Sequence, residues 1–115
     1  FERKDPYVKD LNSYLKQNHS NSSRESHFVN QMLFAAMIEA RSCERFKILS
    51  EQLDDADLKG FYRMLMKSEA RHFMTFLKFA KKYSSSIDVD ERWKLFLEFE
   101  ADLMKKYGKE QTMHG

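Results

Sequence analysis

From Ser23 to Tyr83 the chain holds no proline and a single glycine, and its one short break is Leu53-Asp54-Asp55. Helix-compatible residues fill both sides of that break, so two long helices are predicted, about 23–53 and about 56–83. A three-residue connection leaves them no choice but to pack as an antiparallel hairpin. Ser22 with Glu25 reads as a capping box opening the first, and Asp54 or Asp55 as the N-cap of the second.

The second long helix carries the feature with chemical meaning. Leu58, Phe61, Tyr62, Leu65, Glu69, His72, Phe73, Phe76 and Ala80 recur at steps of three and four, so a carboxylate and an imidazole interrupt an apolar stripe. An unpaired carboxylate on such a face is costly. Glu and His three residues apart project from one side of a helix and can share a cation. Taken alone, Glu-x-x-His is more often a solvated or hydrogen-bonded pair than a metal site.

A third donor is expected from the preceding helix. Glu44 falls on a stripe with Leu33, Met37, Ala40 and Ile48, about ten residues before the turn, whereas Glu69 lies about fifteen after it. At ~1.5 Å per residue their backbones are roughly 7 Å out of level. Side chains lean toward their own helix N-terminus, which closes the offset. Glu39 is the rival, but its spacing neighbours Met32, Ala35, Cys43 and Phe46 form a different face, and it is expected to pair with an arginine. Glu44, Glu69 and His72 are therefore the predicted metal ligands, half of the set that a di-iron carboxylate bundle uses. The alternative for the same three residues is a buried Glu-His hydrogen bond beside an arginine.

The rest of the chain is read around this hairpin. Pro6, then Tyr7, Leu11, Tyr14 and Leu15 suggest a short surface helix before Asn18, and His19 to Ser23 a polar break. Asp88 with Glu91 opens a C-terminal helix, about 88–107, that is expected to stop at Gly108, leaving a tail to Gly115. At 115 residues, with ten Phe, seven Met, three Gly and one Pro, a single all-α domain is expected. Charges nearly cancel at +2 and no run approaches a membrane span, so a soluble, cytoplasmic protein is expected. The lone Cys43 fits a reducing compartment and a small core position. The first residue is Phe1 rather than Met, so an N-terminal portion is expected to precede it.

Ile38-Glu39-Ala40-Arg41-Ser42-Cys43-Glu44-Arg45-Phe46, Phe61-Tyr62-Arg63, Ser68-Glu69-Ala70-Arg71-His72-Phe73 and the ending Met113-His114-Gly115 resemble the C-terminal half of the MiaE family of tRNA hydroxylases, from about Pro6 onward. The resemblance implies a ferritin-like antiparallel bundle in which the two long helices are half of a four-helix bundle, with the C-terminal helix added. It implies a non-haem di-iron monooxygenase, with two irons per complete site, that uses O2 and an electron donor. The implied substrate is the isopentenyl group of 2-methylthio-isopentenyladenosine beside the anticodon of tRNA. Glu44, Glu69 and His72 match the family's second-half ligands, and the pattern Cys-Glu-(Lys/Arg) recurs in its first half. That first half, with its own Glu and Glu-x-x-His, is absent here; a missing N-terminal half is expected to complete the site, the alternatives being a second copy of the chain or a fragment with no competent centre.

Phe73, Phe76, Met37 and Leu65 are expected to keep water from the metal and to receive a prenyl group, or simply to be core. Lys78, Lys81, Lys82, Lys105, Lys106, Lys109, Arg63 and Lys67 are candidates for phosphate contact, though lysines late in helices also complement the helix dipole. Arg41, Arg45 and Arg71 flank the ligands and are expected to pair with carboxylates such as Glu39 or to line the mouth of the site. His114 is given no role. The competing classes are a ferritin-like iron-binding protein without oxygenase chemistry and a structural helical module.

Overall fold

Ser23 has extended backbone angles, and its hydroxyl oxygen accepts the Ser26 amide at 3.0 Å, the geometry of an N-cap. The helix therefore starts one residue later than a box built on Ser22 requires, and Ser22 itself lies outside the described residues. The computed structural model describes residues 6–18 and 23–114, with side chains through residue 107. Those residues form four helices, α1 (Pro6–Asn18), α2 (Arg24–Gln52), α3 (Ala56–Lys82) and α4 (Val89–His114), and no strand. The fold is all-α. Among the described residues no helix is long and apolar enough to cross a membrane.

Glu25, free of the expected box, accepts from both the amide and the hydroxyl of Ser86 at 2.9 Å. These bonds tie the start of α2 to the α3–α4 linker and hold the Glu25 carboxyl below the usual carboxylate range. A carboxyl whose folded pKa is depressed stabilises the fold above its unfolded pKa and loses that contribution as pH falls through the folded value. Glu25→Gln should therefore flatten the acid limb of a stability-versus-pH curve measured by urea melts, with little change in the slope near neutrality.

The chain reverses through extended Leu53, and Asp55 caps α3 by accepting the amides of Asp57 and Leu58 at 2.9 and 3.1 Å. Asp88 caps α4 through the Glu91 amide at 3.0 Å. The expected stop at Gly108 does not occur. No described glycine has a positive φ, so Gly108 forms no left-handed C-cap, and α4 continues to His114 at the modest cost that glycine adds to a helix interior.

The core lies on one side of α2. Leu33 and Met37 are fully buried with Val29, with Leu11 and Leu15 of α1, with Ala80 of α3 and with Phe96 and Leu103 of α4. Polar bonds pin the same layer. Tyr107 donates to Asp10 at 2.7 Å, and Arg92 donates to Ser26 and Asn30 at 3.0 and 3.1 Å. Desolvation pushes the Arg92 guanidinium below its ordinary range. The opposite side of the α2–α3 hairpin stays open, with Leu58, Phe61, Phe79 and Tyr83 of α3 exposed. The radius of gyration of 16.2 Å, against about 13 Å for a compact chain of this length, reflects that one-sided packing.

Candidate metal centre

On the open side of the hairpin, donor atoms of Glu39, Glu69 and His72 all lie within 4.8 Å of one another. The His72 Nδ1 is 3.9 Å from Glu39 Oε2 and 3.9 Å from Glu69 Oε1. That spacing is too long for a hydrogen bond. It suits donors that share one ion, each at about 2.1 Å from it, which rest roughly 3–4 Å apart. The carboxylates are sheltered, with side chains 26% and 20% exposed, whereas His72 is 55% exposed. Two carboxylates and one imidazole make a donor set suited to iron or another borderline ion, and the residues present fit such a group.

Glu69 and His72 are thus brought together, but Glu44 is not with them. Its side chain is 53% exposed and pairs with Arg41 at 2.7 Å, one turn away on the same helix. The reason is angular. Its stripe enters, through Leu33 and Met37, the buried cluster of Leu11 and Leu15 of α1, Ala80 of α3 and Phe96 and Leu103 of α4, while Ile48 beyond Glu44 is 44% exposed. At the level of Glu69 the face that meets α3 is the one carrying Glu39. Its spacing neighbour Cys43 donates to the Met66 carbonyl at 3.4 Å, and Phe46 stacks on Tyr62 with centroids 5.9 Å apart. Height agrees as well. Glu39 lies fourteen residues before Leu53 and Glu69 fourteen after Asp55, so the two stand level in the hairpin.

Arg41 also reaches Glu100 of α4, with Nε 3.4 Å from Oε2, an ion-pair contact rather than a hydrogen bond. Glu100 is buried, and its Oε2 accepts the Tyr7 hydroxyl at 2.9 Å. This polar knot joins α1, α2 and α4 behind the metal group, and Arg41 serves it instead of pairing with Glu39. Its signal in the sequence was Glu100 itself, a carboxylate between Phe96 and Leu103 on the apolar stripe of α4. Arg45 and Arg71 are exposed. The side chains of Lys109 and His114 lie outside the described residues.

Of the four expected apolar neighbours, two share the open face. Leu65 and Phe76 stand one turn before Glu69 and one turn after His72, half-buried. Met37 is fully buried on the other side of α2, and Phe73 points to α4, where it meets Trp93 at 5.8 Å.

Fold and site together define an all-helical protein whose central hairpin assembles a carboxylate–imidazole group able to hold a metal ion. Its sequence places it more closely. Residues 3–115 match the family described as tRNA-(MS2IO6A)-hydroxylase (MiaE), and the chain belongs to that family. It is 42% identical over 86 residues to the tRNA 2-(methylsulfanyl)-N(6)-isopentenyladenosine(37) hydroxylase of Salmonella typhimurium strain LT2, covering 75% of this chain and 31% of that protein. The hydroxylase of the same name from Pseudomonas putida strain KT2440 is 40% identical over 86 residues, 75% of this chain and 42% of that protein. The match thus spans less than half the length of either relative. No solved structure matches the chain.

Proposed function

We propose that this chain carries one half of the di-iron site of a ferritin-like tRNA hydroxylase that modifies the isopentenyl group of 2-methylthio-isopentenyladenosine. The observation that carries the reading is the convergence of Glu39, Glu69 and His72 on one face of the α2–α3 hairpin. A complete dinuclear site of this type takes two such sets, so the second Glu and Glu-x-x-His come from a further helix pair of a longer chain or from a second copy. The open face, exposed at Leu58 and Phe61 toward the turn, is where that pair would dock.

Each residue has a definable task. Glu39 and Glu69 offset the charge of the cation, and His72 adds a neutral donor that leaves positions free for other ligands. Bound iron supplies the reduction of O2, drawing on an electron donor, that hydroxylating an unactivated C–H bond requires. Leu65 and Phe76 exclude water on either side of the group and offer apolar contact to a prenyl chain. The Arg41–Glu100–Tyr7 knot holds α4 and α1 against α2, so that Glu39 keeps its level opposite Glu69. The place of work is the cytoplasm, where tRNA is found.

Metal analysis of the complete protein together with mass analysis of tRNA nucleosides tests this. Iron in the protein, and loss of the hydroxylated nucleoside in cells lacking the gene, are the expected results. Iron with an unaltered hydroxylated nucleoside would favour an iron-binding protein without oxygenase chemistry, and absence of iron would favour a structural helical module.

A further inference from the structure

Helix α3 has a second side that the metal group does not use. At about 100° per residue, Arg63, Lys67, Arg71 and Lys78 fall on one stripe, about 165° round the helix from the direction shared by Glu69 and His72. All four cations are exposed, and Met64 and Met74, which flank them, are each 61% exposed. The stripe is one-signed. After Asp57, α3 holds a single acidic residue, Glu69, and it belongs to the metal group. Arg63, Lys67, Arg71 and Lys78 form no ion pair among the described residues, whereas Lys81, just beyond, is held by Asp90 at 2.8 Å.

The stripe stays in solvent in the complete protein for two reasons. A second donor set must meet the same ions as Glu69 and His72, which puts its helix pair on their face and leaves the opposite side of α3 outermost. Burial of four cations with no carboxylate among them would also be costly. An ordinary solvated face looks different, as on α4, whose outer side alternates Lys94, Glu98, Asp102 and Lys105, all exposed. On α3 the like charges of Arg63, Lys67 and Arg71 stand one turn apart and disfavour the helix, an effect that a polyanion alongside would reverse. The stripe has no ring or leucine to enter a bilayer or to fill the centre of a protein interface. What it fits is a row of phosphates.

We propose that this side of α3 is a track for the sugar–phosphate backbone of RNA, with Arg63, Lys67, Arg71 and Lys78 meeting its phosphates. The assignment rests on the reading of the chain as acting on tRNA and adds the surface that holds the substrate away from the reacting base. From Arg63 to Lys78 the track is about 22 Å long, room for several nucleotides of one strand at ~3.4 Å each. Arg71 directly precedes His72, so a strand following the track passes within about one helix diameter, 10–12 Å, of the metal group. Contacts of this kind position the RNA and read no bases.

The test measures binding of an RNA hairpin with an adenine-containing loop to the complete protein, across a salt series. Lys67→Ala with Lys78→Ala should weaken binding of this hairpin and of one with scrambled sequence by the same factor. The plot of log affinity against log salt should become shallower by about 1.4–1.8, or 0.7–0.9 per phosphate contact. Lys94→Ala with Lys105→Ala removes the same charge from α4 and should leave the slope as it is. An unchanged slope in the α3 variant while the parent protein still binds, or an equal fall in the α4 variant, would overturn the track and leave the hydroxylase reading standing. A parent protein that binds iron but not the hairpin would remove both. A change of oligomeric state in the α3 variant with the slope intact would make the stripe a protein interface instead.

Discussion

On the di-iron hydroxylase reading proposed above, Glu39→Ala should strip iron from the complete protein and lower its hydroxylation rate by at least ~100-fold, and Glu69→Ala and His72→Ala should do the same. The magnitude follows from the loss of outer partners, which alone costs 10–100-fold in metal affinity or activity, so loss of a donor costs more. Glu44→Ala is the informative contrast. Its carboxylate is half-exposed and engaged by Arg41, so its loss removes a surface ion pair worth about 0.2–1 kcal/mol. Iron content, measured on protein of verified fold, should be unchanged in that variant. The reverse pattern, with metal lost from Glu44→Ala and kept by Glu39→Ala, would mean that the faces of α2 have been assigned the wrong way round.

The largest effect on stability is expected at Phe96. Its ring is fully buried, stacks at 6.0 Å from Tyr14 of α1 and meets Trp93 edge-on at 6.2 Å, in contact with the layer that joins α1, α2 and α4. Phe96→Ala should cost about 3–5 kcal/mol, read from the denaturant midpoint at constant m. Met74→Ala, at a position of α3 that is 61% exposed and off the face of the metal group, should stay within about 0.5 kcal/mol. Equal losses at the two positions would show that the Met74 side of α3 is covered in solution.

Most of the secondary structure was legible because its determinants are local. Caps at Asp55 and Asp88, the absence of breakers between Ser23 and Leu53 and the three-residue turn all act over a few residues. Where local signals competed, reading failed by small margins. Two serines stand before α2, and the second adopts the cap geometry. Gly108 resembles a stop, but a stop needs a left-handed residue, which the glycine does not supply.

For the site, sequence by itself determined that Glu69 and His72 share a face, since one turn of a single helix fixes their relation regardless of what packs around it. Which carboxylate of α2 joins them was decided only by the tertiary structure. Helix α2 carries two usable faces, and the greasier one, with Leu33 and Met37, is buried in the cluster that brings in α1 and α4 together with Ala80 near the end of α3. That leaves the face with Cys43 and Phe46 to meet α3, and Glu39 rather than Glu44 comes round to the metal group. Hydrophobic spacing records that a face is buried, but the partner that buries it is chosen by the sum of packing over the whole chain.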